Sequence, residues 1–217
     1  MVHDTTVFKF WLEAKNQKAI FNYVLTAFLF IPALLIMTII AAAIKLDSPG
    51  PVLFTQRRQG LNNRDFTIFK FRTMLFSEDS NTGEISQVML DDERVTRVGR
   101  FLRLTGLDEL PQLINVLKGE MSLIGPRPHL KALDQKYCSR IKDYNKRHNV
   151  KPGITGWAQV NGSRGDADSP EKMKFRIEHD LFYIDNWSIF LDLKIFLMTI
   201  LMLLGTFAGF LKRNDQR

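Results

Sequence analysis

Residues 19–44 carry no charged side chain, and this run separates a short mixed leader from a mixed polar body. A helix over such a run would be roughly 39 Å long, enough to cross a hydrocarbon core of about 30 Å. Pro32 falls near its middle and should kink it, leaving two arms each too short to span alone. Lys9, Lys15 and Lys18 precede the run, and Lys45, Arg57 and Arg58 follow it. Positive charge favours the cytoplasmic side, so both flanks belong on one side. A re-entrant hairpin satisfies both flanks and a single tilted span satisfies one; the pattern leaves both open. Residues 1–18 mix Phe8, Phe10, Trp11 and Leu12 with lysines, a composition suited to the membrane interface. Near the other end, Trp187–Phe210 is apolar but interrupted by Asp192 and Lys194. Its uncharged part is at the short limit for spanning, so an interfacial helix is expected, with a second span as the rival.

Between these segments the period changes. Residues 52–56 and 66–71 predict two strands joined through the Gly60-Leu-Asn-Asn turn, with Lys70 and Arg72 on the face opposite Phe69 and Phe71. Residues 77–93 are polar and aperiodic, a loop. Arg97, Arg100 and Arg103 recur every third residue, laying three cations along one side of a helix. A helix opening at Pro111 carries Leu113, Ile114 and Leu117 and stops at Gly119. Leu130, Leu133, Tyr137, Ile141 and Tyr144 predict a further amphipathic helix over 130–150, and 151–162 reads as turn, short strand, turn. The glycines of that last stretch would allow a ligand close approach.

The chemistry concentrates at 103–113. Asp108 and Glu109 are adjacent carboxylates at the predicted start of the Pro111 helix, where the dipole keeps at least one ionised. Arg103 and Arg127, the latter in a Pro-Arg-Pro frame, bring guanidinium groups to the same region. A carboxylate among arginines can act as a nucleophile while the arginines hold a phosphoryl group. Thr105-x-x-Asp108 also fits a capping box, the commoner use of such spacing. The net charge of +7 points to an anionic partner: nucleic acid, an acidic membrane surface or a phosphorylated substrate. No nucleic-acid-binding motif is present. The single Cys138 excludes an internal disulfide and reads as a partly buried, inert thiol; the four histidines lack metal-ligand spacing.

Taken together, several stretches resemble the bacterial sugar transferases, the monotopic phosphoglycosyl transferases. They are Ser48-Pro-Gly-Pro-Val-Leu-Phe-Thr-Gln-Arg-Arg-Gln-Gly, Phe69-Lys-Phe-Arg-Thr-Met, Asp92-Glu-Arg-Val-Thr-Arg-Val-Gly-Arg-Phe-Leu-Arg, Leu107-Asp-Glu-Leu-Pro-Gln-Leu-Ile-Asn-Val-Leu, Ile124-Gly-Pro-Arg-Pro and Pro152-Gly-Ile-Thr-Gly-Trp-Ala-Gln-Val-Asn-Gly. The resemblance runs from about residue 18 to about residue 204, with the motifs in family order. It implies transfer of a sugar 1-phosphate from a nucleoside diphosphate sugar to undecaprenyl phosphate. Asp108 would be the nucleophile and a magnesium ligand, Glu109 its assistant, and Mg2+ would offset the diphosphate charge. Lys70, Arg72, Arg103, Arg127, Arg164 and Asp192 would contact phosphate or nucleotide. The family's re-entrant helix favours the hairpin at Pro32. The implied fold is α+β: a membrane segment over 1–46, a catalytic domain over 47–186 and a membrane-associated helix with a basic tail over 187–217. Membrane lipids and downstream glycosyltransferases would be partners, a homodimer stays open, and the location would be the cytoplasmic face of a bacterial inner membrane.

This chain departs from the family pattern at two places. Ile31 stands where Ser often precedes the kinking proline, and Gly106 stands where Ser usually lies two residues before the nucleophile. Arg147-His-Asn-Val-Lys-Pro-Gly and Asp180-Leu-Phe-Tyr-Ile-Asp-Asn-Trp-Ser look most like members that begin exopolysaccharide chains with glucose, although Ser163 replaces an aromatic residue. UDP-glucose is therefore the expected donor, with UDP-galactose or an N-acetylated sugar as alternatives. The competing classes are a catalytically silent scaffold and a lipid-binding module; retention of both acids argues against them.

Overall fold

The computed structural model describes residues 5–76, 92–165 and 169–214, with side chains from 16 to 209 within those limits. Most of the loop expected at 77–93, and the side chains of the leader, lie outside the described residues.

Helix α1 (Thr5–Asp47) is 43 residues long and carries Pro32 within it. Asn22, Thr26, Ala33, Met37, Ile40 and Ile44 are buried, at successive spacings that return to one side of the helix every one or two turns. That stripe lies against the body of the protein. The opposite side presents Phe28, Ile31 and Leu35, which are 75%, 77% and 67% exposed around the proline. Helix α1 is tied to the same body near its middle and at its C-terminal end. Asn22 Oδ1 accepts from Ser122 Oγ and Leu123 N, each at 2.9 Å. Lys45 Nζ donates to Gly50 O at 2.9 Å, and Asp47 Oδ2 accepts from Val98 N at 3.1 Å.

The hairpin forms as expected but longer. Strands β1 (Leu53–Gln59) and β2 (Asp65–Phe71) pair antiparallel, from Leu53 opposite Phe71 to Gln59 opposite Asp65. Phe66 and Ile68 are buried, and Lys70 continues their face at the strand end. Helix α2 (Arg97–Thr105) follows, capped by Thr96, whose hydroxyl accepts from Gly99 N at 3.0 Å. After it come α3 (Gln112–Leu117) and strand β3 (Ser122–Ile124), which pairs parallel with β4 (Gly153–Thr155). Two small two-stranded sheets among helices make an α+β body. Its main core joins Leu102, Leu113, Val116, Met121, Ile124 and Tyr183 to the buried stripe of α1.

The helix expected over 130–150 is broken. Helix α4 (Lys131–Tyr137) ends early, Asp143 takes a left-handed conformation, and Tyr144–Asn149 form a 3-10 turn. The cause is polar. Tyr144 OH donates to Asp134 Oδ1 at 2.7 Å, and Arg147 Nη1 reaches the same oxygen at 3.3 Å. On one continuous helix those residues would be roughly 15 and 20 Å apart. Cys138, expected to be partly buried, is exposed on the broken segment. The second turn expected within 151–162 is instead a short helix, α5 (Trp157–Val160).

Helices α6 (Pro170–Asp185) and α7 (Ile189–Asn214) complete the chain. Asp192 is fully buried at their junction. Its Oδ1 accepts from Tyr183 OH at 2.7 Å, and its Oδ2 from Lys18 Nζ at 2.9 Å and Trp187 Nε1 at 3.0 Å. Lys18 also donates to the Tyr183 hydroxyl and to Ile124 O. One carboxylate thus holds α1, α6 and α7 together. Removing one partner of a buried pair strands the other, at a cost of about 3–5 kcal/mol. Asp192→Ala should therefore lower the unfolding midpoint of detergent-solubilised protein by on the order of 10 °C; an unchanged midpoint would contradict the role.

Candidate active site

Helix α2 ends at Gly106, whose φ of 76° is the left-handed conformation that glycine adopts without strain. The chain then makes a 3-10 turn, Leu107–Glu109, and enters α3 with Pro111 as the cap residue rather than the first helical one. Asp108 and Glu109 thus stand on a tight turn before the helix. The capping-box alternative fails here. Thr105 Oγ1 turns back to the carbonyls of Phe101 and Leu102, at 2.9 and 3.2 Å. No side chain caps the 3-10 turn or α3.

Glu109 is fully engaged. Its Oε1 accepts from Lys70 Nζ at 2.7 Å and Arg127 Nη2 at 2.6 Å, and its Oε2 from Arg127 Nη1 at 3.1 Å. The two-pronged guanidinium contact fixes direction as well as distance. Burial alone would raise the Glu109 carboxyl, but the charges and hydrogen bonds of Arg127 and Lys70 overcome it and hold the group well below the usual carboxylate range. Asp108 behaves in the opposite way. Burial, then repulsion from Glu109, pushes its pKa above the ordinary value, against the pull of Lys70, Arg127 and Arg103. Among the described residues no side chain donates a hydrogen bond to the Asp108 carboxylate.

Of the remaining candidates, Arg103 lies on the last turn of α2, with Nε donating to Thr73 Oγ1 at 2.8 Å. Arg164 lies against Gly106, its Nη2 2.6 Å from the point where a Cβ would stand. Lys70, Arg103 and Arg127 therefore act on the acid pair, and Arg164 lies against Gly106, two residues before Asp108. Arg72 and Asp192 are placed elsewhere. Arg72 is buried, donating from Nη1 to Pro49 O at 2.5 Å and from Nη2 to Ser48 O at 2.8 Å and Ser48 Oγ at 3.0 Å. It fastens the turn that joins α1 to β1. Asp192 serves the junction of α1, α6 and α7 described above.

Three supporting groups escaped the sequence reading. Asn115 ties α3 to β2, accepting from Phe69 N at 3.1 Å and donating to Thr67 O at 2.7 Å, which brings Lys70 to Glu109. Arg147 donates through Nη2 to Arg127 O at 2.5 Å and Asp180 Oδ2 at 3.1 Å, so a buried guanidinium steadies the frame of Arg127. Of the three glycines expected to admit a ligand, Gly153 and Gly156 admit backbone instead, while the space at Gly162 is open. A Cβ on Gly153 would lie 2.1 Å from Gly125 N, and one on Gly156 would lie 2.2 Å from Gly125 O. These close approaches seat the loop that carries Arg127. A signal for Arg147 was present in its burial-prone surroundings of Tyr144, His148 and Val150, but its partners lie 13 to 33 residues away.

Among the described residues, no group of three or more His, Cys, Asp or Glu side chains could hold a metal. One free carboxylate nonetheless suits magnesium, which binds through one or two protein carboxylates together with substrate phosphates.

Comparison with known proteins agrees with this geometry. Residues 13–206 match the family described as Bacterial sugar transferase. The chain belongs to that family. It is 49% identical over 178 residues to a UDP-glucose:undecaprenyl-phosphate glucose-1-phosphate transferase of Escherichia coli K12, covering 82% of this chain and 37% of the relative. A protein of the same description from Caulobacter vibrioides is 52% identical over 178 residues, covering 82% and 65%. A UDP-N-acetylgalactosamine-undecaprenyl-phosphate N-acetylgalactosaminephosphotransferase of Aeromonas hydrophila is 47% identical over 175 residues, covering 80% and 40%. The chain thus spans little more than a third of the length of the E. coli relative.

Two titrations follow. Glu109→Gln removes the negative neighbour of Asp108 and releases Lys70 and Arg127, so Asp108 should titrate at lower pH than in the native protein. Carbon-13 NMR of the labelled carboxylate reads this directly; an unmoved or raised titration would refute the coupling. Burial pushes the Asp180 carboxyl up to about 6, against the pull of Arg147 and Arg176. A raised carboxyl pKa favours the protonated fold, so this contribution is complete below the unfolded value of 3.8 and lost as pH rises through about 6. Asp180→Asn should flatten the pH dependence of the unfolding midpoint between about 4 and 6.

Proposed function

We propose that this protein transfers a hexose 1-phosphate, with glucose 1-phosphate as the preferred group, from UDP-glucose to undecaprenyl phosphate. The observation that carries the reading is the division of labour within the acid pair. Glu109 is bound on both oxygens by Arg127 and Lys70. Asp108, on the same turn, keeps its oxygens available among the same cations. An Asp108 oxygen attacks the sugar-bearing phosphorus, and the bond from that phosphorus to the bridging oxygen breaks, so UMP departs with that oxygen. The aspartyl phosphosugar is then attacked by an oxygen of undecaprenyl phosphate, which forms the lipid diphosphosugar and restores the carboxylate. Lys70, Arg103, Arg127 and Arg164 hold the phosphate oxygens and offset their charge. Asp108 would hold magnesium, and the chemistry the ion would supply when bound is further neutralisation of the phosphate charge. The names of the relatives support both the donor class and the lipid acceptor.

The membrane arrangement follows from α1. Two points on it, Lys18 and Asp47, are both bonded to the body that carries the acid pair. A straight helix between them would be roughly 44 Å long, so a simple crossing would carry one end away from that body. We infer that α1 enters and leaves on the same face, with Phe28, Ile31 and Leu35 near Pro32 as its lipid-facing tip. Helix α7, with Phe190, Leu197, Leu201 and Leu204 exposed, lies along that surface. In this reading the acid pair lies on the cytoplasmic side of the inner membrane, where a soluble nucleotide sugar meets a lipid phosphate. Its product would be extended by further glycosyltransferases.

The test is UMP release by detergent-extracted protein given undecaprenyl phosphate, magnesium and a panel of UDP-sugars. The expected result is release with UDP-glucose in preference to UDP-galactose and UDP-N-acetylhexosamines, and loss by several orders of magnitude in Asp108→Asn. Mass spectrometry of protein quenched without acceptor should find the sugar phosphate on Asp108. Substantial turnover by Asp108→Asn would overturn the mechanism, and preference for an N-acetylated donor would overturn the sugar.

A further inference from the structure

Arg164 reaches the turn of Asp108 through two contacts that its own exposed position does not disclose. The first is a clamp on its backbone. Arg176 of α6 is 5% exposed, and its Nη2 donates to Ser163 O at 3.1 Å and to Gly165 O at 2.6 Å. These are the carbonyls on either side of Arg164. The second contact is a space. Arg164 Nη2 lies 2.6 Å from the position of a Cβ at residue 106, and Leu203 Cδ2 of α7 stands 3.6 Å from the same point. Gly106 also holds a φ of 76°. A side chain there would displace the guanidinium, whose Nη2 is the nearest atom to that point.

We propose that Gly106 and Arg176 are positioning residues for Arg164: Arg176 holds its loop, and the absent side chain at residue 106 leaves the seat in which its guanidinium meets a phosphate oxygen of the donor. This rests on the phosphoryl-transfer reading above. Residue 106 is two positions from Asp108, so a guanidinium seated there bears on the phosphorus that Asp108 attacks. Arg176 does not touch substrate, and acts through the carbonyls it holds.

A double-mutant cycle tests the seat. Wild type, Gly106→Ala, Arg164→Ala and the double variant are compared for UMP release as donor concentration is varied. Each single change should raise the KM for the nucleotide sugar about tenfold, the effect of losing one well-placed charged hydrogen bond. The double variant should be no worse than Arg164→Ala alone, because both changes remove the same contact. Unfolding midpoints report the backbone strain of alanine at a positive φ, which is separate from the KM effect. Arg176→Ala should behave like Gly106→Ala, raising KM in the native background and adding nothing when Arg164 is already alanine. Penalties that multiply in the double variant, or a Gly106→Ala protein with native KM, would overturn the proposal. The Asp108→Asn protein separates the two claims. If it stays fully active, or if wild type releases no UMP, the phosphoryl-transfer reading fails and the seat with it. If it is inactive while the cycle multiplies, only the seat fails.

Discussion

The contact of Arg127 and Lys70 with Glu109 organises this molecule. Two adjacent carboxylates in a half-buried turn repel each other, and both cannot remain ionised without compensation. Here the compensation is unequal. Glu109 takes two prongs of one guanidinium and the ammonium of Lys70, while Asp108 feels those cations only through space. The result separates the behaviour of two chemically similar groups one residue apart. Glu109 is a fixed anchor for two cations, and Asp108 keeps its oxygens free of side-chain donors among the described residues.

The rest of the body serves to deliver those cations to the turn. Lys70 arrives because Asn115 laces α3 to the β2 backbone. Arg127 arrives on a loop whose backbone is packed against Gly153 and Gly156, and whose carbonyl is held by Arg147. Arg164 arrives on a loop held by Arg176. Arg147 and Arg176 are both buried, and Asp180 lies within the electrostatic reach of both. The cations around the acid pair thus rest on a second layer of arginines beneath them. The lower layer is satisfied by carbonyls and carboxylates of the protein.

Much of this was legible in the chain. Uncharged length disclosed α1 and α7, alternation disclosed the hairpin, and the turn residues around Asp108 and Glu109 located the acid pair. What could not be read were the partners of buried charge. Arg72 and Arg103 look alike in sequence, yet one guanidinium is spent on the Ser48 and Pro49 carbonyls while the other lies beside the acids. Asp192 sits amid apolar residues, where the arrival of Lys18 beside Tyr183 and Trp187 explains it. The periodicity at 130–150 was satisfied on paper, but the demand of Asp134 for Tyr144 and Arg147 broke the helix. Local pattern records which face is apolar; it does not record which distant donor a buried acceptor will meet.

The Lys18–Asp192 contact has a consequence for the order of assembly. Its partners are separated by 174 residues. At about 5–20 residues per second, a ribosome needs roughly 9–35 seconds to make the second after the first. Throughout that interval α1 exists without the carboxylate that holds its lysine, and without Ser122 and Leu123 for most of the wait. Helix α1 is made well before the residues that fasten it. Its docking through this contact therefore waits on the synthesis of α7, long after the helix itself has been made.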